Sequence, residues 1–128
     1  MSYNFTPPTI CGVICESVSE IPATLFRKFK KIGKSHVLLP FQVEKKFLKN
    51  TITCMKLMDI AALVIVGANM QKIMLSHITK LDSVAKKTGK INLVIKRNNK
   101  FYGYNISDET GLFCHTLIGL LTKNRKTA

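Results

Sequence analysis

The chain has 128 residues, 46% of them apolar, which is enough to build the core of one domain and excludes disordered, collagen-like and mucin-like classes. Twenty Lys and Arg against seven Asp and Glu give a net charge of +13, a balance that suits a nucleic acid, an anionic membrane surface or an anionic small ligand. It equally suits the solvent faces of a lysine-rich chain, and Lys outnumbers the Arg that bidentate phosphate recognition favours. The longest apolar run, residues 60–68, is about half of what a bilayer-spanning helix needs, and the start MSYNFTPPT lacks the pattern of a signal peptide. A soluble, cytoplasmic protein without a membrane partner is expected.

Residues 1–9, with Pro7-Pro8, read as an extended lead-in, and Ile10–Cys15 as a first strand. Pro22 is expected as the first residue of a helix to Ile32, where Leu25, Phe26, Phe29 and Ile32 recur at helical spacing and Arg27, Lys28, Lys30 and Lys31 face away. Gly33 ends it. His36–Val43 reads as a second strand, and Pro40 within it marks an edge or a distortion. Glu44–Met58 reads as a helix carrying Phe47, Leu48, Ile52 and Met55. Ile60–Val66, wholly apolar, reads as a strand buried on both faces, followed by a loop at Gly67-Ala68-Asn69. Met70–Lys87 is helical with a break near Thr79; Ile91–Ile95 and Phe101–Tyr104 then flank Arg97-Asn98-Asn99-Lys100 as a hairpin. Gly111–Leu121 forms the last helix.

This order predicts an α/β fold: a three-layer α/β/α domain over residues 1–122 with a mainly parallel mixed sheet, ending in a β-hairpin and a C-terminal helix, with 123–128 as a basic tail. Cys11, Cys15, Cys54 and Cys114 form no CxxC pair and read as buried free thiols, and the scattered His36, His77 and His115 support no metal site.

Two stretches carry a family likeness. Pro22, Phe29, Gly33 and Pro40-Phe41-Gln42-Val43 stand in order over the first, and Gly89-Lys90-Ile91-Asn92-Leu93 and Gly103-Tyr104-Asn105 over the second. From about Cys11 to Phe113 the chain resembles the N-terminal, substrate-binding domain of the shikimate dehydrogenase family. The resemblance implies a pocket for shikimate or 3-dehydroshikimate at the carboxyl ends of the parallel strands. It also implies a catalytic Lys–Asp dyad, carried here by Lys72 and Asp108, and substrate contacts from Ser19, Asn69, Asn92 and Asn105. Lys72, Asn92 and Asp108 are accordingly expected to converge on one cleft.

The departures from the family pattern are equally specific. The family's S-x-S-P stretch, which binds the substrate carboxylate, becomes Ser19-Glu20-Ile21-Pro22, so one hydroxyl is an isoleucine and Glu20 brings a like charge. The lysine loop starts as Gly67-Ala68-Asn69 but is about four residues short, and Asp108 matches the family's Asp only with one inserted residue. The seven glycines form no G-x-G-x-x-G, so no cofactor site is expected within this chain, and NADP enters only with a second, nucleotide-binding domain. Expected partners are a small carboxylate or polyol acid, a second copy or a separate nucleotide-binding chain docking on the last helix, and nucleic acid only weakly and non-specifically. The rival readings are a basic nucleic-acid or protein-interaction module and one half of a split dehydrogenase.

Overall fold

In the computed structural model, residues 8–126 are described along the backbone and 8–122 in their side chains; the lead-in over 1–7 and the tail residues 127–128 lie outside them. Six strands, β1 (Thr9–Cys15), β2 (His36–Gln42), β3 (Ile60–Ile65), β4 (Lys80–Leu81), β5 (Leu93–Arg97) and β6 (Lys100–Tyr104), make one sheet in the order β2-β1-β3-β5-β6-β4. The β1–β2, β1–β3 and β4–β6 pairs are parallel, whereas β5 runs antiparallel to both of its neighbours. Five helices cover the faces: α1 (Ala23–Ile32), α2 (Leu48–Leu57), α3 (Ala68–Leu75), α4 (Ser83–Thr88) and α5 (Thr110–Lys126). The mixed three-layer α/β/α expectation holds.

Strand alternation divides the core in two. Cys11, Val13 and Cys15 of β1 pack with Leu25 and Phe29 of α1 and with Phe113, Cys114 and Leu117 of α5. Ile14 of β1 and Leu63 and Ile65 of β3 pack on the other face with Leu48 and Met55 of α2 and with Met70 and Met74 of α3. At Gly33 the backbone is not left-handed (φ −98°); α5 packs close there, so that a β-carbon would lie 2.9 Å from the end of the Ile118 side chain and make it shift. The hairpin turn, Asn98-Asn99, takes positive φ at both residues (50° and 63°), the conformation that matches the twist of the flanking strands.

Several boundaries differ from the sequence reading. Pro22 is the extended residue before α1 rather than its first helical one (φ −61°, ψ 128°). The first residues expected in the second helix form a separate 3-10 turn, Lys45–Phe47, which turns Phe47 outward to 48% exposure beneath Lys46. The segment after Met70 is no single helix: α3 stops at Leu75, and two residues of β4 precede α4. Gly67 starts α3, so Ala68 and Asn69 are helical rather than loop. The last helix runs on to Lys126, into the segment read as a tail. Pro40 does mark an edge, because β2 closes one side of the sheet. The Val43 amide donates to the Cys15 carbonyl, so by the two-residue period the missing Pro40 N–H falls on the open side of β2.

Cys54 is exposed, contrary to expectation, while Cys11, Cys15 and Cys114 are buried. Burial pushes the Cys11 thiol up to about 12 from an ordinary 9.0, and it raises Cys114 as well as Cys15, where the Glu20 carboxylate adds to it. The folded state therefore holds the Cys11 proton more tightly than the unfolded chain does. Stability from this source is complete below pH 9 and declines as pH rises from 9 toward 12. At pH 8 a thiol-specific maleimide should label Cys54 at once and the other three only after denaturation; fast labelling of two or more thiols in the folded protein would contradict this burial. Phe29→Ala should lower the unfolding free energy in urea by about 3–5 kcal/mol. Leu57→Ala, at a side chain 77% exposed, should change it by no more than about 0.5 kcal/mol.

Candidate functional site

The strand order reverses between β1 and β3, and ligands of open α/β sheets bind beyond the carboxyl ends of the strands at such a point. A cavity of about 180 Å³ lies there. Its floor is the end of β3, Val64 to Val66, with Gly67 at the start of α3; Leu25 of α1 and Phe113 of α5 form apolar walls. Polar groups on the lining come from Glu20, Gln71, Asn92, Asp108 and Thr110. Because β5 runs antiparallel to β3, Asn92 enters at this same rim, and the exit of β6 brings Asp108 and Thr110 to it. The volume is comparable to that of an engineered cavity of about 150 Å³ that takes a benzene ring, so one six-membered ring fits.

Gly67 makes the sharp entry from β3 to α3 with φ of 100°, a left-handed value that a side chain strains to adopt. A β-carbon there would sit 3.7 Å from a Glu20 carboxylate oxygen, so Glu20 faces the start of α3. The other Glu20 oxygen accepts the Ser17 backbone N–H at 2.9 Å. Gln71, one turn into α3, donates its amide to the Ile65 carbonyl at 2.9 Å. Asn92 is 6% exposed and bonded at both ends of its carboxamide: its amide donates to the Ile106 carbonyl (2.7 Å), and its oxygen accepts the Ile106 N–H (3.0 Å). This clamp fixes the strand exit that carries Asp108. Glu109, not Asp108, caps α5, taking the N–H groups of Gly111 (3.2 Å) and Leu112 (2.8 Å); those bonds hold its carboxyl below the usual range.

Of the residues expected at the site, Asn92 and Asp108 line the cavity and the others do not. Lys72 is exposed on α3 because Met70 and Met74, one turn apart and buried, hold the inner face, and a residue midway between them points away. No ion pair joins Lys72 to Asp108 among the described residues, so the expected dyad is not assembled. Asn69 is exposed one residue before Met70. Ser19 is exposed with its hydroxyl against Ser17 (2.8 Å). Asn105 donates to the Thr88 hydroxyl at 2.7 Å and ties the exit of β6 to α4. The sequence reading missed Gln71 and Thr110; the spacing of Gly67 and Gln71, one helical turn apart, was the available signal. It noted Glu20 only as a charge misplaced in the family pattern.

Among the described residues no His, Cys, Asp and Glu cluster could hold a metal, and no helix is long and apolar enough to cross a membrane. The strand-to-helix turn at Gly67 is faced by the Glu20 carboxylate, so these residues do not fit the pyrophosphate of a dinucleotide cofactor.

Fold and cleft thus define an open, mixed α/β domain with its cavity at the topological switch point. No protein-family model matches the chain. The shikimate dehydrogenase (NADP(+)) of Alkaliphilus metalliredigens is 31% identical over 77 residues, covering 60% of this chain and 27% of that protein. That of Halothermothrix orenii is 25% identical over 84 residues, covering 66% and 29%. The chain therefore spans under a third of the length of these curated relatives. Shikimate dehydrogenase 1 from Peptoclostridium difficile superposes with a TM-score of 0.68 at 19% identity over 76% of this chain and 36% of its own. The Listeria monocytogenes shikimate 5-dehydrogenase, solved in complex with shikimate and NAD, gives 0.66 at 20% identity over 81% and 37%. Curated relatives and solved structures both point to the shikimate dehydrogenase family, to part of whose members this chain is similar in sequence and in fold.

Asn92→Ala leaves both polar groups of Ile106 unpaired, so it should cost about 1–3 kcal/mol in urea unfolding. Gly67→Ala has room for its methyl group but should cost about 1–3 kcal/mol through backbone strain alone. An unchanged midpoint for either variant would contradict the local geometry.

Proposed function

We propose that this is a substrate-binding domain whose cavity at the end of β3 receives a small cyclic polyol of the shikimate kind. The observation that carries the reading is the cavity itself: a ring-sized space at the switch point, apolar on two walls and polar at Gln71, Thr110, Asp108 and Glu20. Apolar walls suit the faces of a carbon ring, and the polar groups suit its hydroxyls. The names of the curated relatives support the ligand class. Hydride transfer would need a nicotinamide cofactor such as NADP held by residues outside this domain, and a proton-transfer partner other than Lys72, which is absent from the lining.

The test is a titration of the isotope-labelled chain with shikimate and with its uncharged methyl ester, followed by amide NMR. At least one of the two should shift the amides of Gly67, Gln71, Asp108 and Thr110, leaving Cys54 and Met58 near the β2 edge unmoved. Thr110→Val should weaken that binding roughly fivefold, the effect of one hydrogen bond of about 1 kcal/mol. Absence of shifts with both compounds, or shifts confined to another face, would overturn the reading.

A further inference from the structure

Alternation along β6 puts Lys100, Tyr102 and Tyr104 on one face of the sheet and Phe101 and Gly103 on the other. The first three share the face that α1 and α5 cover, since Tyr104 packs against that core while Phe101 joins the opposite one. Among the described residues, that core draws its buried strand residues from β1, β3 and β5 only, so the roof of helices stops short of β6 and of the edge strand β4. Tyr102 and Tyr104 are left half-buried there. Cations interleave with the two rings. The Arg97 Cζ lies 5.4 Å from the centre of the Tyr102 ring and 5.8 Å from that of Tyr104, and the Lys80 Nζ, arriving from β4, lies 5.8 Å from Tyr102. These separations fall within the reach of about 6 Å over which a ring face attracts a cation, so rings and guanidinium hold one another in place. A cavity of about 330 Å³ opens beside them, lined by both tyrosines, Lys80 and Lys86. Asp82 is the one carboxylate on its described lining, and it is taken up by the N–H groups of Ala85 (2.7 Å) and Asn105 (3.4 Å).

We propose that this open strip binds single-stranded nucleic acid. Unpaired bases stack on Tyr102, Tyr104 and the Arg97 guanidinium, and the phosphates meet Lys80, Lys86 and Lys100. Cations alone would suit any polyanion; the rings between them narrow the class. A duplex keeps its base faces hidden, and an acidic polypeptide brings no flat faces to stack, so neither uses the tyrosines. An aromatic polyanion uses both. Two rings two residues apart on one strand, roughly 7 Å, offer successive stacking positions, and stacking tolerates any base, so the binding is not sequence-selective. The net charge of +13 favours encounter with such a partner. The strip is separate from the cavity at the end of β3: the two share no lining residue.

The test is fluorescence anisotropy of a labelled oligothymidylate of about 12 nucleotides with the full chain, at salt from about 50 to 200 mM. Binding should weaken steeply with salt, and Lys80→Gln and Lys100→Gln should each lower the slope of log affinity against log salt by about one. A duplex of the same length should bind at least fivefold more weakly. Tyr102→Leu and Tyr104→Leu should each weaken binding at least fivefold, whereas Tyr102→Phe and Tyr104→Phe, which keep the rings, should bind as the parent does. On the isotope-labelled chain the oligonucleotide should shift the amides of Arg97, Tyr102 and Tyr104 and leave Gly67 and Gln71 unmoved. No binding at the lowest salt overturns the proposal, as does a duplex that binds as tightly as the single strand. Leucine variants that bind like the parent, or phenylalanine variants that lose as much as the leucine ones, overturn the stacking role of the rings. Displacement of the oligonucleotide by polyglutamate as readily as by unlabelled single strand identifies an acidic polypeptide site and likewise overturns it.

Discussion

A strand whose side chains are buried on both faces must be roofed twice, and β3 is such a strand: of its six residues only Ala61 is partly exposed. With α1 and α5 on one face and α2 and α3 on the other, the edges between helices and sheet are closed along most of its length. Space is left where β3 ends and the chain must leave the sheet. The abrupt exit at Gly67 and the antiparallel entry of β5 frame that space, and the Asn92–Ile106 clamp holds its far wall. The cavity is thus a by-product of how a doubly buried strand stops, and its lining is set by which residues fall just past the strand ends.

Charge acts on two length scales in this molecule. The outer faces are cationic, as on α1, where Arg27, Lys28, Lys30 and Lys31 are all exposed. The described lining of the cavity carries Glu20 and Asp108 and no lysine, arginine or histidine. Net charge governs encounter and solubility, while a bound group responds to the side chains it touches. A basic isoelectric point therefore says little about what this cavity holds.

The layers of the fold were legible because their signals are collective. The apolar run of β3, the spacing of Leu25 and Phe29 and the paired asparagines at the hairpin each required one local conformation. The two residues of β4 carried no periodic signal and were absorbed into a helix. Site residues were harder, because a single step along a helix rotates a side chain by about 100°. Gln71 and Lys72 differ by that one step, and motif matching across a four-residue shortening could not fix the phase that buried Met70 and Met74 impose. Asn92 and Asp108 sit at strand exits, where topology alone gathers them, and both line the cavity.

The open side of β2 has a bearing on crowding. Its outward-facing backbone groups include the position of Pro40, so a strand arriving from a second molecule finds a carbonyl without a matching N–H at the middle of the edge. Val37 and Leu39, more than a third exposed beside it, would otherwise favour such pairing. An interrupted ladder, together with like charge on every copy, disfavours edge-to-edge pairing of these sheets. The apolar side chains at this rim thus sit on an edge whose ladder is broken at its middle.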